Sequence, residues 1–162
     1  MKRFVCLLIV ILLATALFTG CKKAAPEGFE FTCTLTVECK TILDHMDEFD
    51  PDKREVLPED GVIIARAEFG FNEGDTVYDL IRRATAERGV HMEASYTPVY
   101  ESAYVEGINN IYEFDCGPMS GWTYSVNGVY PNYGCSGYKL KDGDDVIWHY
   151  TCEYMPELEW DD

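Results

Sequence analysis

The side chains that could carry out covalent chemistry in this sequence are few, and their spacing does not favour it. The chain holds three histidines, His45, His91 and His149. A cysteine–histidine nucleophile pair would need Cys152 beside His149, but side chains three residues apart on a strand point to opposite faces. The sequence contains no HExxH, GxSxG, phosphate-binding P-loop or dinucleotide-binding glycine motif. We therefore predict a protein that binds rather than one that catalyses.

Metal binding is the second chemistry that the residue types allow, through thiolates or through carboxylates. No two cysteines have the CxxC spacing of a thiolate site. One acidic loop could hold Ca²⁺, but it lacks the ligand order and the central glycine of an EF-hand loop. We therefore predict no metal site and a solvated acidic loop, whose carboxylates belong to Asp44, Asp47, Glu48, Asp50 and Asp52.

Aromatic side chains are concentrated in the second half of the chain, and they suit recognition. A tyrosine ring offers a broad apolar face and a polar tip, which fits a large, flat and partly polar ligand. Trp122 and Trp148 lie in the same half, on predicted strands where rings more often form cross-strand pairs. Ten of the 11 tyrosines follow residue 95, namely Tyr96, Tyr100, Tyr104, Tyr112, Tyr124, Tyr130, Tyr133, Tyr138, Tyr150 and Tyr154.

One loop combines these rings with turn residues. Tyr130, Asn132 and Tyr133 lie among prolines and glycines, and side chains on such loops are directed away from the core. These three residues are therefore the first candidates for a binding role.

The elements that must position these residues are several strands and one helix. Apolar residues alternate from Phe29 to Leu43, which predicts a half-buried strand. Thr76 and Asp79 fit a capping box for a helix that continues to Arg88, with Gly89 after its end. The pair Asn127–Gly128 predicts a tight hairpin turn. We predict an α+β fold, a single β-grasp-like domain with a mixed sheet and one main helix, and further strands at 61–71, 91–97, 100–105, 111–114, 121–126, 129–130 and 145–152.

The composition limits the partners. The formal net charge is −16, so the surface repels phosphate backbones and nucleic acid is excluded as a partner. The length suits one domain. We expect that domain at residues 31–152, followed by an acidic tail at 153–162.

The N-terminus predicts export and lipid attachment. Basic Lys2 and Arg3 precede an apolar run, and small residues then lead to Cys21, as in a lipoprotein signal. We expect a signal peptide at 1–20 and a lipidated tether at 21–30, which would place the protein on the outer face of the cell membrane. An uncleaved N-terminal anchor is the alternative, and it leaves the domain on the same side of the membrane.

Five cysteines remain after the signal and the lipidated cysteine are set aside, so two disulfides at most can form. An exported protein can keep such bonds. Many pairings are open from the sequence. We favour Cys116 with Cys135, which would flank one hairpin, and Cys152 with Cys39 or Cys33.

Two segments near the predicted hairpin resemble a known family. Residues 121–128 (GWTYSVNG) and 130–144 (YPNYGCSGYKLKDGD) are similar to the transcobalamin-like C-terminal domain family. Residues 33–43 (CTLTVECKTIL) and 74–80 (GDTVYDL) are also similar, so the resemblance spans roughly residues 31–152. Bacterial members of that family are often exported lipoproteins.

The resemblance implies a β-grasp-like domain that covers one side of a corrin ring. In the animal cobalamin carriers a separate helical domain supplies most of the pocket, and this chain shows no such domain. No histidine here lies in a matching motif for cobalt. Carried over, the residues that would contact cobalamin or a related corrinoid are Trp122, Tyr124, Tyr130, Asn132, Tyr133 and Ser136.

The expected function is therefore capture of a corrinoid at the cell surface and delivery to a membrane transporter, with no catalytic residues. The alternative is a module that binds a protein or a glycan through the same aromatic surface. An exposed aromatic concavity at residues 130–136 would favour the first function, and a flat patch without a pocket would favour the second.

Overall fold

The computed structural model describes residues 25–99 and 101–153. The predicted signal peptide, the lipidation site Cys21, the first residues of the tether and the tail from 154 onward lie outside the described residues. In the part that is described, no helix is long and apolar enough to cross a membrane.

The described residues form seven strands and one α-helix, and two short 3₁₀ segments follow the first strand. The alternation predicted for the first strand ends early, because the chain turns at Cys39 into the 3₁₀ segment Lys40–Asp44, and Pro51–Val56 forms the second such segment. The elements are β1 (Phe31–Glu38), β2 (Val62–Phe71), α1 (Val77–Arg88), β3 (Met92–Thr97), β4 (Ser102–Ile108), β5 (Ile111–Tyr112), β6 (Gly121–Val126) and β7 (Asp145–Thr151).

The strands form two sheets. The larger sheet has the order β2-β1-β7-β6, and the smaller has the order β3-β4-β5. In the larger sheet β1 and β7 are parallel, with Leu35 opposite Val146 and Val37 opposite Trp148, whereas the outer pairs are antiparallel. The predicted α+β class with a mixed sheet and one main helix is confirmed. The strands divide between two sheets, because β3, β4 and β5 pair with one another.

The helix begins and ends where its local sequence predicts. The Thr76 side chain accepts a hydrogen bond from the Asp79 N–H, and the Asp79 carboxylate accepts one from the Thr76 N–H, which completes the capping box. Gly89 ends the helix with φ 66°, a left-handed conformation that glycine adopts at little cost. The apolar face of the helix packs against β2.

The core lies on the inner face of the larger sheet. Alternate residues of β1, Cys33, Leu35 and Val37, are buried there, as the period of two in the sequence requires. The same face of β6 and β7 carries the large aromatic rings. Each buried ring of this kind removes a large apolar area from water, which is the main source of stability for a domain of this size.

The predicted hairpin turn is confirmed, but the strand expected after it is not formed. Asn127 and Gly128 both have positive φ, 54° and 82°, as a type I′ turn requires. Beyond the turn a single bridge joins Val126 to Val129. The Asn127 side chain bonds instead to the Asp144 carboxylate and the Asp145 N–H, both at 2.9 Å, so β6 pairs with β7 and the intervening chain folds away as a loop.

Candidate functional site

A cavity of about 160 Å³ lies between β4 of the smaller sheet and β6 of the larger one. The loop after the Asn127–Gly128 turn closes one side of it. Three of the six predicted ligand contacts, Trp122, Tyr124 and Tyr133, line this cavity. Its full lining is Ala103, Tyr104, Val105, Trp122, Thr123, Tyr124, Pro131, Tyr133, Gly134, Cys135 and Trp148.

The inner wall is built from paired rings of β6 and β7. Tyr124 lies opposite Trp148 with ring centroids 5.5 Å apart, and Trp122 meets Tyr150 edge to face at 5.2 Å. The indole N–H of Trp122 donates to the Ile111 carbonyl at 2.9 Å, and the Tyr124 hydroxyl donates to the Tyr133 carbonyl at 2.9 Å. Burial raises the pKa of Tyr124 well above its usual range. Both polar tips are therefore committed to the backbone.

Trp148 differs from these neighbours, because its indole N–H has no hydrogen-bond partner. Among the described residues it is the one buried side-chain polar atom without a partner, and the residue is only 3% exposed. A buried donor that is left unpaired costs about 1–3 kcal/mol. Trp148 is also one of the residues that line the cavity.

Two tyrosines stand at the mouth of the cavity. Tyr104 on β4 is 44% exposed and Tyr133 on the loop is 46% exposed, so each offers a ring face to solvent. The Tyr104 hydroxyl bonds to the Glu113 carboxylate, and burial together with Glu113 raises the pKa of Tyr104 to about 12. Tyr133 stacks on Tyr138 at 6.4 Å. The rim is thus aromatic and accessible.

The loop is fastened to β4 by short contacts around Gly134. Ser136 holds it twice: its hydroxyl accepts from the Ala103 N–H at 3.0 Å, and its N–H donates to the Ser102 hydroxyl at 3.2 Å. The Cys135 thiol points to the Ala103 carbonyl at 3.4 Å, and burial raises the pKa of Cys135 to about 11. Ser136, predicted as a ligand contact, therefore holds the loop and does not line the cavity.

Tyr130 and Asn132, the other predicted contacts, do not line the cavity either. The Tyr130 ring packs against His149 with centroids 5.6 Å apart. His149 lies on the opposite face of the larger sheet, because it alternates with Trp148 and Tyr150 along β7. Asn132 is exposed on the loop. The predicted cluster is thus divided between the cavity, the loop surface and the far face of the sheet.

The far face of the sheet holds a chain of hydrogen bonds in the order of a serine hydrolase triad. The Ser125 hydroxyl lies 3.1 Å from His149 Nε2, and His149 Nδ1 lies 3.2 Å from a Glu38 carboxylate oxygen. A nucleophilic serine must be reached by a substrate carbonyl, whereas Ser125 is only 2% exposed. We assign these bonds a structural role, in which they join β6, β7 and β1.

Stability should decrease in mildly acidic solution because of His149. Burial lowers its pKa below the usual 6.5, with Glu38 acting in the opposite sense. The unfolded chain therefore binds a proton at a pH where the folded chain does not, so the contribution of His149 is present above pH 6.5 and is lost as pH falls. The thermal midpoint, measured between pH 7.5 and 5.5, should fall less steeply for His149→Gln than for the wild type.

The exposed His91 provides the control for this measurement. His91→Gln should keep the wild-type slope, because that ring is exposed and bonds to the Tyr112 hydroxyl at the surface. Equal slopes for His149→Gln and the wild type would contradict the assignment.

The five cysteines of the domain are buried as free thiols. The predicted Cys116–Cys135 pairing stays a prediction, and the Cys135 thiol faces the Ala103 carbonyl on β4. The Cys116 thiol points to the His45 carbonyl and lies near Cys152, and the Cys33 thiol points to the Phe69 carbonyl. Within residues 25–99 and 101–153 no group of three or more histidine, cysteine or acidic side chains could hold a metal ion.

Comparisons with known proteins give limited similarity. A family model described as Domain of unknown function (DUF4430) matches residues 74–152, just under half of the chain. That range contains every residue that lines the cavity. No curated protein matches the chain. A solved structure from Ruminococcus gnavus, named a "putative metal binding protein", is 16% identical in sequence and superposes with a TM-score of 0.43. The match covers 77% of this chain and 100% of the chain in that structure. At that TM-score the likeness carries no inference for this chain.

Sequence reasoning missed two important residues of the cavity. The sequence predicts Trp148 as a core ring, and it is one, but it also lines the cavity. Tyr104 sits on β4, whose place beside β6 depends on how two separate sheets meet. No local sequence pattern predicts how the two sheets pack together. The concentration of aromatic residues after residue 95 does indicate the part of the chain that lines the cavity.

Proposed function

We propose that this chain is a non-catalytic surface lipoprotein that binds cobalamin or a related corrinoid at the aromatic cavity and delivers it to a membrane transporter. The observation that carries the proposal is an aromatic cavity lined by Trp122, Tyr124 and Tyr133, together with Trp148, whose buried indole N–H has no partner. An apolar hollow with few polar groups is the usual form of a small-molecule site.

The size of the cavity limits what enters it. Its volume of about 160 Å³ corresponds to roughly five water molecules, so a corrinoid cannot enter whole. One peripheral group fits inside, and the flat ring would lie outside on the exposed faces of Tyr104 and Tyr133. The peripheral amides of corrinoids carry carbonyl oxygens, which are the acceptors that the Trp148 N–H lacks.

Charge favours a neutral group in the cavity. The chain carries a net charge of −16, and Glu113 holds the hydroxyl of Tyr104 at the mouth. An anionic ligand would be repelled by this surface, whereas an amide would not. An uncharged acceptor is therefore the ligand chemistry that the site fits best.

The strand order supports the β-grasp part of the proposal. The first and last strands, β1 and β7, are parallel neighbours in the middle of the sheet, and α1 packs against β2 beside them. We propose that this is a β-grasp-like domain, as the resemblance to the transcobalamin-like C-terminal domain family implies. The lipid anchor at Cys21 and the position on the outer membrane face belong to the same proposal and rest on the N-terminal sequence.

Titration of cyanocobalamin and cobinamide into the detergent-solubilised full chain tests the proposal. We expect saturable one-to-one heat and a change in the visible absorption of the ligand. Tyr133→Ala should weaken binding about tenfold, equivalent to about 1.4 kcal/mol, because it removes a ring from the mouth of the cavity. The measurement is calorimetry on both proteins under the same conditions.

Tyr96→Ala is the matched control. Tyr96 is the more exposed tyrosine, at 64%, and it does not line the cavity, so its loss should leave the affinity unchanged. An equal loss in both variants would indicate non-specific contact with aromatic surface. No heat at high micromolar ligand would reject autonomous corrinoid binding and favour the alternative, a module for a protein or glycan partner.

A further inference from the structure

Two buried cysteines far apart in sequence meet at one end of the larger sheet. Cys116 lies in the connection between β5 and β6, where it forms an antiparallel bridge with Phe49 and its N–H donates to the Ser120 hydroxyl at 3.0 Å. Cys152 comes directly after β7. Since Gly121 of β6 is opposite Thr151 of β7, the strand pairing itself brings the two cysteines together.

The thiols lie near each other and contact the same neighbouring segment. Cys116 and Cys152 are close enough for each to act on the pKa of the other. The Cys152 thiol also lies 3.7 Å from the Thr41 hydroxyl, and the Cys116 thiol lies 3.6 Å from the His45 carbonyl. Thr41 and His45 are joined in turn by a 2.9 Å contact between the Thr41 carbonyl and the His45 ring. Both sulfurs are thus held in one place by independent contacts.

We propose that Cys116 and Cys152 form a disulfide in the exported protein. The two thiols are oxidised by the disulfide of a thiol-oxidising protein, which is reduced to a dithiol. The sulfurs of Cys116 and Cys152 form one bond, and their two protons and two electrons pass to the two sulfurs of the oxidant. The proposal does not depend on the identity of any ligand.

The remaining cysteines are placed for other contacts. Cys135 faces the Ala103 carbonyl in the cavity wall, and Cys33 faces the Phe69 carbonyl between β1 and β2. Cys152 is near enough to Cys39 to raise the pKa of that thiol, but the thiol that shares its neighbouring segment, at Thr41 and His45, is that of Cys116. The contacts therefore favour Cys116–Cys152 over the Cys39–Cys152 pairing.

The timing of the bond follows from burial. All of these thiols are buried, and burial raises the pKa values of Cys116 and Cys152. Thiol–disulfide exchange proceeds through the thiolate, so both cysteines react slowly once the domain is folded. The bond must form while the chain is folding, and after that it is protected from reductants.

The closed loop contains most of the candidate site. It spans about 36 residues and includes β6, the loop that carries Tyr133, and Trp148 on β7. The bond would therefore hold the two ends of the segment that forms the cavity wall. Restricting a loop of this length in the unfolded chain should raise the thermal midpoint by about 10 °C.

Peptide mapping of the full chain tests the proposal. The protein is exported through its own signal in a bacterial host, blocked with iodoacetamide in denaturant without reductant, and digested with trypsin and chymotrypsin. Chymotrypsin is needed because it cuts at the aromatic residues between Cys116 and Cys135, which trypsin leaves on one peptide. We expect a peptide pair joined through Cys116 and Cys152, and alkylated Cys33, Cys39 and Cys135.

Variants provide an independent test. Cys116→Ala, Cys152→Ala and the double variant should all melt at the same temperature, about 10 °C below the oxidised wild type, and should no longer respond to reductant. Cys39→Ala is the control, and it should keep the linked peptide pair. Alkylation of all five thiols, or a peptide joining Cys39 to Cys152 or Cys116 to Cys135, would overturn the proposal. The peptide mapping uses the wild-type protein, so it tests the Cys116–Cys152 disulfide even if a variant does not fold.

Discussion

Gly134→Ala should destabilise the domain by about 3 kcal/mol and lower its thermal midpoint by about 10 °C. A Cβ atom on Gly134 would lie 2.1 Å from the Ser102 hydroxyl and 2.4 Å from its Cβ, and Ser102 is itself buried. The loop must therefore move away from β4, and the hydrogen bond between the Ser136 N–H and the Ser102 hydroxyl is lost. Thermal and chemical denaturation measure the change.

A matched glycine and a second-site change make this prediction specific. The Cβ of Gly121→Ala would meet only Glu113, at an ordinary 3.7 Å, so its cost should stay within about 0.5 kcal/mol. Ser102→Gly removes the clashing side chain and should restore part of the stability when it is combined with Gly134→Ala. A Gly134→Ala protein as stable as the wild type would show that the loop does not pack against β4 in this way.

Trp122→Phe should destabilise the domain by about 1–2 kcal/mol more than Trp148→Phe, although Trp148 is the more buried of the two. The two changes remove the same volume from adjacent strands. Only Trp122→Phe leaves a buried acceptor, the Ile111 carbonyl, without its donor. Trp148→Phe removes an N–H that has no partner. Urea denaturation of both variants measures the difference.

The same pair of variants separates stability from binding. If the Trp148 N–H donates to a carbonyl of the ligand, Trp148→Phe should weaken corrinoid binding about tenfold while causing the smaller loss of stability. Equal losses of stability in Trp122→Phe and Trp148→Phe would show that the Trp148 N–H already has a hydrogen-bond acceptor. Unchanged affinity in Trp148→Phe would remove the indole N–H from the proposed site.

Features determined by neighbouring residues could be predicted from the sequence. The capping box of Thr76 and Asp79, the end of the helix at Gly89 and the positive φ of Asn127 and Gly128 all depend on a few adjacent side chains. The alternating burial of β1 also follows from a local period. These are the features for which propensity, capping and turn chemistry agree with the final fold.

Features determined by distant pairing could not be predicted in the same way. The division into two sheets depends on β3, β4 and β5 pairing among themselves, and the strand expected at residues 129–130 is replaced by side-chain bonds from Asn127. Tyr130 and Tyr133 are neighbours on one loop, yet their rings contact opposite faces of the larger sheet. Composition identified the aromatic region, but only the tertiary structure separates cavity residues from supporting ones.

The parallel pairing of β1 with β7 has a consequence for the order of folding. Translation produces β1 first and β7 last, yet the two strands are adjacent in the middle of the sheet. Until the last residues are made, β1 has a partner on one side only and the aromatic half of the core is absent. The core of the larger sheet therefore cannot be completed until β7 has been made, so its folding depends on contacts between residues far apart in the sequence.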